Sequence, residues 1–258
     1  MEDHVIFCET PEDVADAAAE LIFDKQTEAV ADRGVFRIAL SGGSTPKLLY
    51  ERLASEEWRE EMSWDRWEVF WSDERAVPRD HPESNYRLAH SAFLSKAPVR
   101  NVFRMFPLES SPLSLRGGER GRGIEVEQAA RQYATMLKQQ FSSDLPVFDV
   151  ILLGLGSDGH TASLFPNHPA LESEKLVEAV APGSSLTPGP SSLPRLTLTY
   201  RVLNAARTII FLICGEEKGN AVQSVLEFGD PSLPATHVKP ENGECFWILD
   251  AAAAHLLE

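Results

Sequence analysis

The sequence predicts an α/β fold, organised as a single domain around a mainly parallel β-sheet. Short apolar runs rich in β-branched and aromatic residues alternate with helix-like segments along the 258-residue chain, which is typical of a layered α/β protein. The run at residues 147–153 is apolar on both faces, as in a parallel strand that is covered on both sides. No internal repeat and no break in composition marks a domain boundary, so we expect residues 1–258 to form one domain.

The apolar runs and the residues that flank them predict the elements in order. We expect strands at residues 35–40, 67–71, 101–106, 147–153, 196–200, 208–214 and 245–249. We expect helices at residues 46–53, 85–94, 124–141 and 216–228. Thr45 is the candidate N-cap of the first of these helices, with Pro46 at its first helical position. Residues 109–123 are rich in Ser, Pro, Gly and Arg, which predicts a flexible insertion.

The net charge of −15, from 24 Lys and Arg against 39 Asp and Glu, limits the partners of the protein. A surface with this much negative charge repels phosphate backbones and anionic lipids. We therefore expect neither nucleic-acid nor membrane binding. A small anionic substrate then requires a local basic pocket.

We find no signal peptide, no apolar run of membrane-spanning length and no CxxC pattern, which predicts a cytoplasmic protein. Both a monomer and a weak dimer remain open.

The first candidate site is the segment between the strand at 35–40 and the following helix. Its glycines allow a tight turn and a close approach to a ligand, while the helix N-terminus presents unpaired N–H groups to an anion. The segment lacks the Lys-Ser/Thr ending of a Walker A motif, so it does not indicate a nucleoside triphosphate. An ordinary capped turn that binds nothing remains an alternative. The candidate residues are Ser41, Gly42, Gly43, Ser44 and Thr45.

A second glycine-rich segment follows the strand at 147–153. Its glycines at 154, 156 and 159 formally match GxGxxG, but Pro166 and Pro169 leave no room for the crossover helix that a dinucleotide site requires. The segment also contains Asp158 and His160, at the strand end where open α/β sheets place their sites. His160 can accept a proton from water near pH 7, and Asp158 can orient its ring. A structural loop histidine is the alternative, and the spacing to His168 does not indicate a metal site.

Charged residues also follow the strand at 67–71. Arg75 is suited to clamp a phosphate, and Asp73 to hydrogen-bond sugar hydroxyls or to act as a base. We interpret Glu74 and Glu83 as members of a solvated charge cluster.

Two further cations flank late strands instead of lying on exposed helices. Arg195 precedes the strand at 196–200, and Lys218 opens the helix after the strand at 208–214. Arginine suits bidentate phosphate capture and lysine acts as a point charge, although either residue alone is more often a surface residue.

Taken together, these segments resemble the 6-phosphogluconolactonase family, in the wider group that includes glucosamine-6-phosphate deaminase. The matching pieces recur in family order from about residue 35 to the C-terminus: residues 41–46, 73–75 with 80–86, 154–166, 194–195 and 215–218. The resemblance implies a modified Rossmann-like sheet flanked by helices. It also implies hydrolysis of 6-phosphogluconolactone, a phosphorylated sugar lactone, without a metal or organic cofactor.

The resemblance further implies the role of each residue. His160 would be the general base that activates water, and Asp158 its supporting carboxylate. The segment 41–45 would hold the 6-phosphate together with Arg75, Arg195 and Lys218. The deaminase pattern has a glutamate five residues after the histidine, where this chain has Phe165. Deamination and a non-catalytic sugar-phosphate-binding protein remain the alternatives.

Overall fold

The strands form two sheets in the computed structural model, which describes residues 3–106, 119–181 and 193–258. The strands are β1 (Asp3–Cys8), β2 (Phe36–Leu40), β3 (Trp67–Trp71), β4 (Asp73–Arg75), β5 (Asn101–Val102), β6 (Val150–Leu153), β7 (Val177–Val180), β8 (Arg195–Leu198), β9 (Thr208–Ile213) and β10 (Glu244–Asp250). The helices are α1 (Pro11–Arg33), α2 (Ser44–Leu53), α3 (Glu56–Glu61), α4 (Asn85–Ala89), α5 (Glu119–Phe141), α6 (Tyr200–Leu203) and α7 (Gly219–Leu226).

The larger sheet has seven parallel strands in the order β1-β10-β9-β6-β2-β3-β5. Every residue of β6 and of β9 is buried, so both faces of these central strands are covered. This burial explains their uninterrupted apolar sequences and confirms the predicted α/β class with a mainly parallel sheet.

Two neighbouring strands of this sheet, β2 and β6, define its topological switch point. The chain continues from β2 to its neighbour β3 on one side, whereas β6 lies beside β9 on the other side. The loops that follow β2 and β6 therefore separate at the carboxyl edge of the sheet and leave a crevice between them, which is where open α/β sheets bind ligands.

The smaller sheet is antiparallel, in the order β4-β8-β7, and the sequence did not predict it. Only Ser72 separates β4 from β3, and the N–H of Ser72 donates to the carbonyl of Leu40 in β2 (2.8 Å). Because the carbonyl of Ser72 also accepts from the N–H of Leu198 (2.8 Å), the smaller sheet begins at the carboxyl edge of the larger one.

Several predicted boundaries are wrong. Thr45 is not the N-cap of α2: the helix begins at Ser44, with Gly43 as its N-cap. The helix predicted at 124–141 begins at Glu119 instead, inside the predicted insertion. Glycine disfavours a helix by only a small free energy per residue, which the packing of the later turns outweighs. Residues 109–118 of that insertion lie outside the described residues. The strand expected at 101–106 is only two residues long, and Tyr200 belongs to α6.

In the parts of the chain that the structure describes, none of the helices combines the length and apolar character needed to cross a membrane.

Candidate active site

A cleft opens at the carboxyl edge of the large sheet, beside the small sheet. Its walls come from the loops after β2, β6 and β9 and from strands β4 and β8. Ten residues singled out from the sequence line it: Ser41, Gly42, Gly43, Ser44, Thr45, Asp73, Arg75, His160, Arg195 and Lys218. Asp158 contacts the cleft through His160. The structure therefore brings together side chains that are widely separated in the sequence.

The imidazole of His160 is held by Asp158. Its Nδ1 lies 2.5 Å from Oδ1 of Asp158, and the backbone N–H of His160 donates to the same oxygen (3.2 Å). Burial opposes ionisation of Asp158, but the hydrogen bonds and charge of His160 outweigh it and lower the pKa of this carboxyl. Because Nδ1 is engaged by a carboxylate, Nε2 is the ring nitrogen left to accept a proton in the cleft.

The backbone at Gly156 makes room for this pair. A Cβ atom at this position would collide with Nδ1 of His160 and lie 2.5 Å from Oδ1 of Asp158. The N–H of Gly156 also donates to the carbonyl of His160 (2.8 Å), which closes the turn. Gly156, the second glycine of the segment that resembles a dinucleotide fingerprint, thus accommodates the histidine instead.

Phe165 lies beside both His160 and Arg195. Its ring centroid lies 4.6 Å from that of His160, and the guanidinium carbon of Arg195 lies 5.6 Å from the same centroid. Phe165 is 7% exposed. The position at which the deaminase pattern has a carboxylate therefore holds a buried aromatic ring that packs against His160.

Arg75 and Arg195 are direct partners in the antiparallel ladder of β4 and β8. Side chains directly opposite each other lie about 5 Å apart at Cβ, and like charges in such positions repel. Arg195 is only 7% exposed, and burial, with the charge of Arg75, lowers its pKa, although Asp73 opposes the shift. Within the described chain, Nε of Arg75 is buried and has no hydrogen-bond partner. A bound anion would both relieve the repulsion and accept from this donor.

Asp73 is a counter-ion of Arg195, which together with Arg75 we call the arginine pair. Its Oδ2 accepts from the hydroxyl of Ser163 (2.6 Å) and lies 3.9 Å from Nη1 of Arg195. Its Oδ1 accepts from Nδ2 of Asn85 (3.1 Å). Both carboxylate oxygens therefore have protein partners, which suits a structural charge better than a free base.

The loop after β2 presents the first turn of α2 to the cleft. The hydroxyl of Tyr50, in the second turn of the helix, donates to the carbonyl of Ser41 (2.6 Å) and accepts from its N–H (3.1 Å), which fixes the start of the loop. No side chain caps α2, so N–H groups of its first turn have no partner within the helix. Thr45 and Cys214 both line the cleft.

Lys218 completes the basic side of the cleft from the turn that follows β9. The carboxylate of Asp250 accepts from the N–H of Gly215 through both oxygens (3.1 and 3.2 Å), which anchors the start of that turn. Three cations and one helix N-terminus thus surround a single space in a protein of net charge −15.

The prediction for Glu74 is wrong, whereas Glu83 is exposed as expected. Glu74 is 4% exposed and accepts four hydrogen bonds. Burial raises its pKa to about 7 against the opposing effect of these bonds. Sequence reasoning also missed Asn85 as a residue of the cleft wall, although it lies in one of the segments that carry the family resemblance.

Among the described residues, no group of three or more His, Cys, Asp or Glu side chains is arranged to hold a metal ion.

Comparison with known proteins places this geometry in a family. The family model described as glucosamine-6-phosphate isomerases/6-phosphogluconolactonase matches residues 9–247. The chain belongs to this family.

Individual members of the family match almost the whole chain. The 6-phosphogluconolactonase of Rattus norvegicus is 40% identical over 252 residues, which cover 96% of this chain and 91% of that protein. The 6-phosphogluconolactonase of Homo sapiens is 41% identical over 246 residues, with coverage of 93% and 88%. The solved structure of 6-phosphogluconolactonase from Trypanosoma cruzi superposes with a TM-score of 0.81 at 30% identity, over 99% of this chain and 97% of that chain.

Proposed function

We propose that the protein hydrolyses 6-phospho-D-glucono-1,5-lactone to 6-phospho-D-gluconate, a step of the oxidative pentose phosphate pathway. The observation that carries the proposal is the pairing of a carboxylate-held histidine with an arginine pair across one cleft. Identity of about 40% to 6-phosphogluconolactonases over most of the chain supports it. Cys8 and Cys214 are free thiols, which supports a protein of the reducing cytoplasm.

The chemistry begins with a water molecule beside His160. Nε2 removes a proton from this water as its oxygen attacks the lactone carbonyl carbon, and the imidazolium that forms is paired with Asp158. The tetrahedral intermediate then collapses, the bond from the carbonyl carbon to the ring oxygen breaks, and the imidazolium returns the proton to that oxygen. Backbone N–H groups of the glycine loops stabilise the oxyanion.

The phosphate group positions the lactone for this attack. Arg75 and Arg195 bind its oxygens from the small sheet, Lys218 adds a point charge, and the first turn of α2 donates N–H groups. Binding energy from this remote group fixes the carbonyl near the histidine, which lowers the entropic part of the barrier. Since a lactone is already electrophilic, the reaction requires no metal or organic cofactor.

Deamination of glucosamine 6-phosphate is less well supported by this geometry. Phe165 is a buried aromatic residue where that reaction pattern has a glutamate, and Asp73 already bonds Ser163 and Asn85. A side chain that cannot carry a proton does not complete a relay for opening the sugar ring.

Hydrolysis releases a proton, so a pH-stat assay on fresh 6-phosphogluconolactone tests the proposal, beside an ammonia-release assay on glucosamine 6-phosphate. We expect proton release above the uncatalysed rate and no ammonia. Ammonia release would establish the deaminase, and binding of 6-phosphogluconate without turnover would establish a non-catalytic binding protein.

A substitution of His160 tests its proposed role as the general base. We expect His160→Ala to lower turnover by about 10²–10⁴-fold, while the affinity for 6-phosphogluconate remains because the cations are intact. His4→Ala, at an exposed histidine of β1, is the matched control. Undiminished turnover in His160→Ala would exclude the histidine as the base.

A further inference from the structure

Glu74 lies behind the cleft wall and joins the two ends of the segment 75–85. One of its oxygens accepts from the N–H groups of Arg75 (2.8 Å) and Asn85 (2.7 Å). The other accepts from the N–H of Tyr86 (2.9 Å) and the hydroxyl of Ser84 (3.1 Å). A single buried carboxylate therefore fixes the backbone at both residues whose side chains reach the cleft, Arg75 and Asn85.

The side chain of Asn85 hydrogen-bonds both an acidic and a basic residue of the cleft. Its Nδ2 donates to the carbonyl of Asp73 (2.9 Å) and to Oδ1 of the same residue (3.1 Å), and its Oδ1 accepts from Nη1 of Arg75. The side chain is 1% exposed, so little water competes for these bonds. Its amide also lies against the backbone of Gly42, where a Cβ atom would collide with it.

Arg75 requires such support for two physical reasons. Its side chain has many rotamers, so holding it in one geometry costs conformational entropy. Arg195, its partner in the ladder, carries the same charge and repels it toward solvent. The side-chain hydrogen bond from Nη1 of Arg75 to Asn85 keeps the guanidinium at the cleft, with Nε still free of a protein partner among the described residues.

We infer that Glu74 and Asn85 are positioning residues for the phosphate end of the cleft, with Glu74 fixing the backbone of Asn85 and Asn85 fixing the guanidinium of Arg75. Neither residue takes part in the chemistry at the lactone carbonyl. This inference rests on the proposed function only in taking the ligand to be a phosphorylated sugar acid or its lactone.

Asn85→Ala tests the role through the split between KM and kcat. A hydrogen bond to a charged group is worth enough that KM for 6-phosphogluconolactone should rise roughly 10- to 100-fold, while kcat stays close to that of the wild type. Hydrolysis of unphosphorylated glucono-1,5-lactone should be unaffected. Asn101→Ala, at an exposed asparagine of β5, is the matched control and should change neither constant. A fall in kcat with an unchanged KM would overturn the inference.

A double-mutant cycle separates positioning from a merely structural role. Asn85→Ala should weaken binding of 6-phosphogluconate in the wild type, yet add almost nothing when Arg75→Ala is already present, because the residue it positions is gone. Equal losses in both backgrounds would overturn the inference. The cycle is measured by titration calorimetry, with gluconate as the ligand that lacks the phosphate.

Glu74→Gln keeps the shape of the side chain but replaces one acceptor oxygen with an N–H donor. We expect weaker binding of 6-phosphogluconate, whereas Glu83→Gln, the same change on an exposed neighbour, should bind like the wild type. Equal affinities in the two variants would contradict the role of Glu74. If Glu74→Gln does not fold in a thermal melt, the cycle with Asn85 decides.

These binding measurements do not depend on the reaction. If the wild type fails to hydrolyse the lactone but Asn85→Ala still weakens binding of 6-phosphogluconate, the proposed function fails and the positioning role stands. If the wild type hydrolyses the lactone and Asn85→Ala binds 6-phosphogluconate normally, only the positioning role fails.

Discussion

At the scale of the residue, the geometry of the site depends on the absence of a side chain at Gly156. Gly156 has no Cβ, and the ring of His160 occupies the space that this atom would fill. The carboxylate of Asp158 lies against the same backbone, so a methyl group there would disturb both members of the pair. In the mechanism proposed above these two residues are the catalytic groups. Catalytic groups lose rate steeply with displacement, so that mechanism requires a glycine at this position.

We therefore expect Gly156→Ala to lower kcat by about 10²-fold, with little change in the affinity for 6-phosphogluconate. Gly154→Ala is the control from the same loop, because a Cβ at that position would meet no atom within 4 Å. Steady-state kinetics of both variants provide the test, and similar kcat values would show that the ring of His160 adjusts freely.

Glu74 gives the stability of the fold a pH dependence. Burial raises its pKa from an ordinary value of 4.5 to about 7, so the folded state binds this proton more tightly than the unfolded state. Its contribution to stability is complete below pH 4.5 and is lost as the pH rises to about 7. The free energy of unfolding of the wild type relative to Glu74→Gln should therefore fall over this window in urea titrations. Glu83→Gln should show no such trend, and a difference that rises with pH would contradict the assignment.

At the scale of the element, the cleft is built from turns at strand ends, and each turn has a buried anchor. Tyr50 holds the loop after β2, and Asp250 holds the turn after β9. Asp250 is 3% exposed and also accepts from the N–H of Ala253 (2.7 Å), so one carboxylate joins the Lys218 turn to the segment after β10. The strands fix where the turns lie, and the anchors fix their conformation.

Replacing Asp250 with asparagine should release the Lys218 turn. The amide keeps one acceptor oxygen for the backbone N–H groups but turns the other oxygen into a donor that faces the N–H of Gly215, at a cost of about 1–3 kcal/mol in the free energy of unfolding. Asp230→Asn is the matched control, because Asp230 accepts from the N–H of Ser232 at the surface. Chemical denaturation of both variants measures the effect, and equal stabilities would show that Asp250 is not an anchor.

The sequence was informative about elements whose signals are local. Glycines and hydroxyls before a helix, and an Asp-Gly-His triplet after a buried strand, are visible within a few residues, and both loops lie at the cleft. The pairing of β4 with β8 joins distant segments, so no local pattern predicts it. Helix α1 escaped prediction because alanines form much of its buried face and give little hydrophobic contrast. The burial of Glu74 also depends on tertiary packing, so no local pattern predicts it.

At the scale of the whole molecule, the charge of −15 and the basic cleft act over different distances. The field of the acidic surface is long-ranged, whereas the phosphate contacts that we propose for Arg75, Arg195 and Lys218 act over a few ångströms inside a partly buried cleft. Salt screens the first far more than the second, because the Debye length falls from about 30 Å at 0.01 M to about 8 Å at 0.15 M.

This difference predicts an unusual response to ionic strength. Raising the salt concentration from about 0.01 to 0.15 M should increase kcat/KM for the anionic 6-phosphogluconolactone, since the long-range repulsion is removed while the contacts survive. The neutral glucono-1,5-lactone should show no such increase. Stopped-flow or steady-state kinetics at several salt concentrations test this prediction. A steady fall in kcat/KM with salt would show that the cations of the cleft alone control capture of the substrate.

The pairing of β1 with β10 has a consequence for biosynthesis. A ribosome makes β1 long before β10, the strand it pairs with, and makes β4 long before β8. The nascent chain therefore carries β1 without a neighbouring strand, and it holds Arg75 without Arg195, until most of its length has emerged. Unpaired apolar strands are the species that aggregate, so we expect chaperone binding during synthesis and the capacity to bind phosphate esters only in the finished chain.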